Sequence, residues 1–476
     1  MSLEIVIGLE VHAELSTQSK IFCSCSTAFG GEPNTKVCPV CLGFPGTLPT
    51  LNRAVVECGL RAGLALNCSI TPRTTFDRKN YFYPDLPKAY QISQLYAPIC
   101  TKGQVAIKVD GNEKLIRIHE IHMEEDAGKL IHDSSLGTLM DYNRCGVALL
   151  EIVTCPDFRS ADEVIAYLEV LRETLYYTNV CDCKMEEGSL RVDVNLSVRE
   201  KGGALGVRTE MKNLNSFKAI ARAIQSESAR QTELIEQGDT VQQETRRWDD
   251  VKGESFSMRS KENAQDYRYF PDPDLLPIVI DDAWLDSVKK NMPELPAQKR
   301  VRYVEQYGLS QKDAFNLTLH KNVSKLFESI AVASGAPSEA ARLILGEILY
   351  LMHTAHIEPD DICIDAAKLA LLIKLVVAKK ISRDAYKEVV GAVFAHNVDP
   401  QAYIAEKGLS MQSDTAAIDV LVKQVIQESA AAVADYQAGK EKAFAFLMGK
   451  IMKSLGKSGN PDVVRTLLKE MLDNQK

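Results

Sequence analysis

The stretch Leu190–Arg199, LRVDVNLSVR, alternates without a break, with Leu190, Val192, Val194, Leu196 and Val198 on one side. Arg191, Asp193, Asn195, Ser197 and Arg199 occupy the other. A period of two sustained over such a run is the mark of a half-buried β-strand. Ile5–Glu14, IVIGLEVHAE, repeats the pattern, with Ile5, Ile7, Leu9 and Val11 opposite Gly8, Glu10, His12 and Glu14. Val147–Thr154, VALLEIVT, is apolar except for Glu151, and a lone carboxylate in such a strand is costly to bury unless paired or metal-bound. Gln104–Glu125 reads as a hairpin turning at Asp110-Gly111-Asn112. Helices are expected at Leu51–Leu66, after the capping box Ser160–Glu163, and at Phe217–Gln237 before Gly238. One-sided strands interleaved with helices predict an α+β region, a mostly antiparallel sheet cradle with one polar, concave face.

A chain of 476 residues is too long for one core, so two or three domains are expected. The composition shifts at Pro293 and Pro296, and beyond Lys299 the pattern is helical, with breaks at Gly335-Ala336-Pro337, Glu358-Pro359, Asp399-Pro400 and near Gly408. The expected division is an α+β cradle over 1–292, an all-α domain over 293–407 and a small helical tail over 408–476. In the tail, Asn460-Pro461-Asp462 is an N-cap with proline at the first helical position.

The apolar and charged fractions, 45% and 25%, are those of an ordinary soluble protein. MSLEIVIGLEV has no basic stretch or cleavage pattern of a signal peptide, and Leu369–Val377 is interrupted by Lys374 and too short to cross a bilayer. A cytoplasmic protein with no membrane partner is expected. Net charge is −8, so a nucleic acid would have to bind at a local basic patch. Gly439–Lys476, with seven lysines and one arginine against four acids, is such a patch, and equally an ordinary solvated helix face.

Four of the twelve cysteines, Cys23, Cys25, Cys38 and Cys41, fall as C-x-C followed by a C-P-V-C knuckle. In a reducing compartment, close thiol pairs read as zinc ligands before disulfides, and four thiolates close a tetrahedral structural site. Cys181-x-Cys183 has no second pair nearby and reads as ordinary.

Asp77–Gln94, DRKNYFYPDLPKAYQISQ, interleaves aromatic rings with Arg78, Lys79 and Lys88. Pro84 and Pro87 exclude a regular helix or central strand across it, so it reads as a loop whose lysines are either solvated or point charges for an anion. His122-Met123-Glu124-Glu125-Asp126-Ala127-Gly128 stacks three carboxylates that need cations or N–H donors nearby. Arg246–Asp250 and Asp266–Asp274 read as further charged, ring-bearing loops. A phosphate-binding G-x4-G-K-[ST] loop is absent, because Ile451 stands where its first glycine is required. A G-x-S-x-G nucleophile elbow is absent too. Hard carboxylate oxygens suit Mg²⁺ and lysines suit phosphates, which points to phosphoryl chemistry on a metal.

These motifs, with KMEEGSLRVDVNLSVR, MKNLNSF, ETRRWD and DYRYFPDPDLLPI, closely resemble the GatB family, the B subunits of tRNA-dependent aspartyl/glutamyl amidotransferases. The cysteines resemble its zinc-bearing branch. The resemblance implies a heterotrimeric ligase, completed by an amidase (the A subunit) with a small bridging protein (the C subunit). It implies a role in protein biosynthesis on misacylated Glu-tRNA(Gln) or Asp-tRNA(Asn). It also implies ATP and Mg²⁺ as cofactors besides structural Zn²⁺, phosphorylation of the side-chain carboxylate, and displacement of phosphate by channelled ammonia. By position, Glu10, His12, Glu125 and Glu151 resemble the Mg²⁺ cluster, and Lys79, Tyr81 and Lys88 the reaction centre and ammonia path. Asp193 and Glu210 resemble channel or second-cation residues, and the tail domain resembles the part that meets the outer corner of tRNA. Two other readings of the residues stand beside this one, a non-catalytic tRNA-binding scaffold and a free-standing metal-dependent phosphotransferase.

Overall fold

A computed structural model describes residues 2–260, 267–411, 415–456 and 460–474. The chain forms two compact units, Met1–Leu295 and Pro296–Lys476. The first unit opens with β1 (Leu3–Glu14) and α1 (Arg53–Ala65), then the short strands β2 (Ser69–Ile70), β3 (Arg73–Thr74), β4 (Asp77–Asn80) and β5 (Tyr90–Ser93). Next come β6 (Cys100–Val109), β7 (Asn112–Glu125), β8 (Lys129–Asp133), β9 (Gly137–Asp141), β10 (Ala148–Thr154) and α2 (Ala161–Tyr177). β11 (Leu190–Glu200), β12 (Thr209–Lys212), α3 (Phe217–Glu236), β13 (Glu244–Asp249), β14 (Glu254–Ser260), β15 (Phe270–Pro271), β16 (Ile278–Val279) and α4 (Asp282–Lys290) complete the unit.

Nine strands form one sheet in the order β14-β13-β12-β11-β1-β10-β7-β6-β2. Its pairings are antiparallel apart from β12 with β13. β1 lies in the middle, with His12 opposite Glu151 of β10 and Arg191 of β11. Because the pleat alternates, Ile7, Leu9, Val11 and Ala13 enter a core shared with Val192, Val194 and Leu196, and with Leu60, Leu168 and Ile224 from α1, α2 and α3. Glu10, His12 and Glu14 therefore share the opposite face. The fold is α+β, as expected.

β7 changes phase partway along. Ile116 and Ile118 are buried, and then Ile121 and Met123, because the register skips from Glu120 opposite Val153 to Ile118 opposite Thr154. This β-bulge moves the core-facing set from even to odd positions.

Two loop expectations are corrected. Asp77–Gln94 is not one loop, because β4 pairs with both β15 and β5 and is the middle strand of a three-stranded sheet. Pro84 and Pro87 fall in the connection between β4 and β5, where no ladder bond is needed. The Arg246–Asp250 stretch lies largely on β13, with Trp248 buried, and pairing with β12 and β14 satisfies its backbone. Asp266, in the other expected loop, lies outside the described residues.

The second unit is helical from Pro296–Tyr307 to Pro461–Asp473. Its buried apolar side chains gather in two clusters, one running from Tyr303 to Leu409 and one from Ile418 to Leu472. Asp399 and Asn460 cap helices that carry proline in their first turn, while Gly335 and Gly408 end helices in the left-handed region. Among the described residues no helix is long and apolar enough to cross a membrane.

Candidate functional site

The polar face of the large sheet carries two acid-rich groups side by side. In the first, His12, Glu124 and Glu151 bring one ligand atom each to within 4.8 Å of one another. His12 Nε2 lies 3.6 Å from Glu124 Oε1 and 3.5 Å from Glu151 Oε2. His122 Nε2 lies 2.8 Å from Glu151 Oε2, while its buried Nδ1 makes no hydrogen bond among the described residues. In the second group, Glu10, Asp193 and Glu210 converge to the same 4.8 Å limit. Asn195 donates to Glu10 at 2.9 Å, and Thr245 donates to Glu210 at 2.8 Å. The Lys212 ammonium bridges Asp193 and Glu210, 2.9 Å from the latter.

The titration of this face shows how unbalanced its charge is. Burial alone would push His122 down, but Glu151 and Glu124 prevail and raise it to about 10. Burial opposes the ionised form of Glu151, yet His122 and His12 hold it well below the usual carboxylate range. Glu10 is raised by burial and by the neighbouring charge of Glu151, with Glu210 and Asp193 adding to it. Beyond His12 lies Glu14, raised to about 8 by burial and by the charge of Asp126. Asp126 is itself held by Arg191 at 2.8 Å and Arg144 at 3.4 Å. Carboxylates stacked on one face this way are stabilised by cations, and their oxygens are the hard ligands that Mg²⁺ takes. The donor set fits such an ion.

Glu125 does not join this face. It follows Ile121 and Met123 in the odd phase that the bulge creates, so it projects from the other side of β7 to Glu124. There it binds the Lys88 ammonium and accepts from the Ile92 amide at 2.9 Å. Of the expected metal set of Glu10, His12, Glu125 and Glu151, the structure brings His12 and Glu151 together with Glu124, sets Glu10 with Asp193 and Glu210, and leaves Glu125 apart from both groups. The expected site set does not contain Glu124, His122 or Lys212, although Glu124 belongs to the acidic run read from the sequence. The change of parity in LIRIHEIHMEE is the signal that could have found the first two.

The β4–β5 hairpin stands against the same end of the sheet. Ser93 donates to Glu124 at 3.4 Å, and the Gln94 side chain accepts from the Met123 amide at 3.0 Å. Lys79 Nζ lies 5.7 Å from the centre of the Tyr81 ring and 5.1 Å from that of Tyr267, and among the described residues it has no carboxylate partner. Burial and the charge of Asp85 push the Tyr81 hydroxyl up, so it stays protonated. Lys88 differs from the expectation of an open anion-binding charge. Its ammonium is paired with Glu125 and lies over the rings of Tyr90 and Phe22.

Cys23, Cys25, Cys38 and Cys41 converge with all four sulfurs within 4.8 Å of one another. The Cys38 amide donates to Cys41 Sγ at 3.2 Å, and the two sulfurs of the knuckle are 3.9 Å apart. Thiolates around a tetrahedral ion with Zn–S bonds of about 2.3 Å stand roughly 3.8 Å apart, so the donor set fits zinc. Lys20, wholly buried, brings its ammonium to 3.6 Å from Cys41 Sγ. A bond from Cys23, the Cys38 amide and the Lys20 charge together hold the Cys41 thiol down at about 4.

Residues 5–286 match the family model described as GatB/GatE catalytic domain, and residues 325–472 match the one described as GatB domain. The aspartyl/glutamyl-tRNA(Asn/Gln) amidotransferase B subunit of Lachnoclostridium phytofermentans is 55% identical, over 98% of each chain. The protein of the same name from Caldicellulosiruptor bescii is 53% identical over 99% of this chain and all of its own. That from Thermoanaerobacter pseudethanolicus is 50% identical over 99% of this chain and likewise all of its own.

Proposed function

This chain belongs to the GatB family of aspartyl/glutamyl-tRNA(Asn/Gln) amidotransferase B subunits, and on that premise we propose that it is the tRNA-binding, carboxylate-activating component of such an enzyme. It works in the cytoplasm with two partners, an amidase and a small bridging protein. It receives Glu-tRNA(Gln) or Asp-tRNA(Asn), and its own division into a cradle over 1–292, a helical domain over 293–407 and a tail over 408–476 leaves the basic tail to meet the tRNA. The observation that carries this reading is the pair of anionic groups on one sheet face, beside a hairpin that presents Lys79.

The chemistry answers a leaving-group problem. A side-chain carboxylate cannot exchange oxide for an amine, so an oxygen of that carboxylate attacks the γ-phosphorus of ATP and ADP leaves. Ammonia then attacks the carbonyl carbon of the acyl phosphate, and inorganic phosphate departs as the C–O bond breaks. His12, Glu124 and Glu151, with Glu10, Asp193 and Glu210 beside them, are the residues that would hold Mg²⁺. Held by these residues, such an ion would supply positive charge to the phosphate oxygens. Lys79, between Tyr81 and Tyr267, presents a positive charge to the transferring group. The Lys88–Glu125 pair stands beside the route by which ammonia arrives. The four cysteines hold structural zinc.

Conversion assays on the reconstituted trimer with both misacylated tRNAs and γ-labelled ATP test this directly. Label is expected on the aminoacyl group when ammonia is withheld, and amide when it is supplied. Amide formation without any ATP turnover would overturn the reading, as would phosphoryl transfer that does not require tRNA.

A further inference from the structure

Gly43 ends the cysteine knuckle, in a turn closed by bonds from Leu42 N to Cys38 O, Gly43 N to Val40 O and Phe44 N to Pro39 O. Its φ is +67°, and a Cβ placed there would lie 2.4 Å from Lys88 Cγ and 3.2 Å from Lys88 Cα. The second contact is with backbone, so a rotamer change of Lys88 cannot relieve it. On its other flank the knuckle is held by a hydrogen bond. The Cys145 thiol donates to Cys41 O at 3.3 Å, and the Gly146 carbonyl accepts from the Ile21 amide at 3.0 Å. A cavity of about 140 Å³ is bordered by two of the thiols and by the ion pair, with Cys23, Cys41, Gly43, Lys88, Tyr90 and Glu125 among its lining residues.

We propose that the Cys38–Gly43 turn is a positioning element for Lys88, so that metal held by the four cysteines fixes the Lys88–Glu125 pair and thereby governs how efficiently ammonia reaches the activated acid. The inference rests on the reading that Lys88 borders the ammonia route. The knuckle backs onto the stem of Lys88 from Cα to Cγ, and the ammonium at the end of that stem meets Glu125 Oε1. Glu125 is fixed independently by the Ile92 amide, so a displacement of the turn moves one member of the pair and not the other. The thiol cluster thus serves a reacting group without touching it.

The test is Gly43→Ala in the assembled trimer, read as the ratio of glutamine hydrolysed to amide formed, with metal content and phosphoryl transfer followed alongside. Amide formation supported by glutamine is expected to fall by roughly tenfold or more, since a misplacement of about 1 Å near a reacting centre can cost about a hundredfold. Phosphoryl transfer to the aminoacyl group is expected to be unchanged, and added ammonium chloride to restore part of the rate. Lys88→Met separates the two layers. If Lys88→Met impairs coupling and Gly43→Ala does not, the positioning role is overturned. If Lys88→Met itself leaves coupling intact, the underlying reading of Lys88 falls and takes the inference with it. Should Gly43→Ala bind less metal, the wild-type trimer stripped by chelator under reducing conditions gives the same answer. Its hydrolysis-to-amide ratio must rise on stripping and return when zinc is added, and an unchanged ratio overturns the proposal.

Discussion

Glu124 and Glu125 are adjacent in the chain and face opposite sides of one strand, the first toward His12 at 3.6 Å and the second toward Lys88 and the Ile92 amide. Substituting them is therefore expected to do different damage. Glu124→Gln removes a carboxylate that would be a hard ligand in the proposed function, and should lower phosphoryl transfer by about two orders of magnitude or more while weakening Mn²⁺ binding measured by calorimetry. Glu125→Gln leaves metal binding intact. It strands the buried Lys88 ammonium, a loss of about 3 kcal/mol that denaturant titration of the purified protein would detect. Equal effects of the two substitutions on metal affinity would contradict this assignment of faces.

Lys212 neutralises Asp193 and Glu210 with an ammonium of the protein's own. In Lys212→Met the Glu10, Asp193 and Glu210 carboxylates face one another without it. Divalent-cation affinity at that group should then rise by about tenfold, a change of the size expected from removing one nearby like charge at intermediate dielectric. Titration with Mn²⁺ monitored by proton relaxation is the measurement, and unchanged or weaker affinity counts against it.

Glu227 gives the acid limb of stability a named contributor. Burial pushes its carboxyl up, but bonds from Arg230 and Gln231, the Arg230 charge and a bond from Thr209 hold it below the ordinary value of 4.5. A depressed carboxyl stabilises the fold fully above 4.5 and loses that contribution as pH falls through its folded-state value. Glu227→Gln should thus be less stable at pH 7 by about 2 kcal/mol, with the gap to wild type closing in acid. Urea denaturation across a pH series reads it, and a gap that widens in acid contradicts the sign.

Cys38→Ser breaks the knuckle at the residue whose amide and sulfur both meet Cys41. Bound zinc should fall to background by elemental analysis, and the thermal transition should move down by several degrees, as roughly 2 kcal/mol does in a domain of this size. Full zinc content in this variant would exclude a four-thiol site.

Much of this was legible in the residues. β1 and β11 declare themselves because both alternate cleanly, and Gly335, Gly408 and Asn460 mark helix ends by local chemistry alone. What was not legible depended on distant pairing. Trp248 sits in a run of charges that resembles a loop until β12, more than thirty residues earlier, provides a parallel neighbour. Glu125 stands apart from the other acids because the bulge at His119–Glu120 is set by how β10 aligns with β7, and one extra residue exchanges the faces. The Lys212 bridge was invisible for a simpler reason. Nothing in MKNLNSF reveals that a neighbouring strand presents Asp193 to it.

β1 lies between β10 and β11, strands that begin at Ala148 and Leu190. A ribosome that has made the first hundred residues has therefore released a central strand with both edges bare and its acids unmatched. Closing loops of that length costs entropy before any ladder bond repays it. During synthesis it is this strand, more than any surface helix, that needs shielding from other chains.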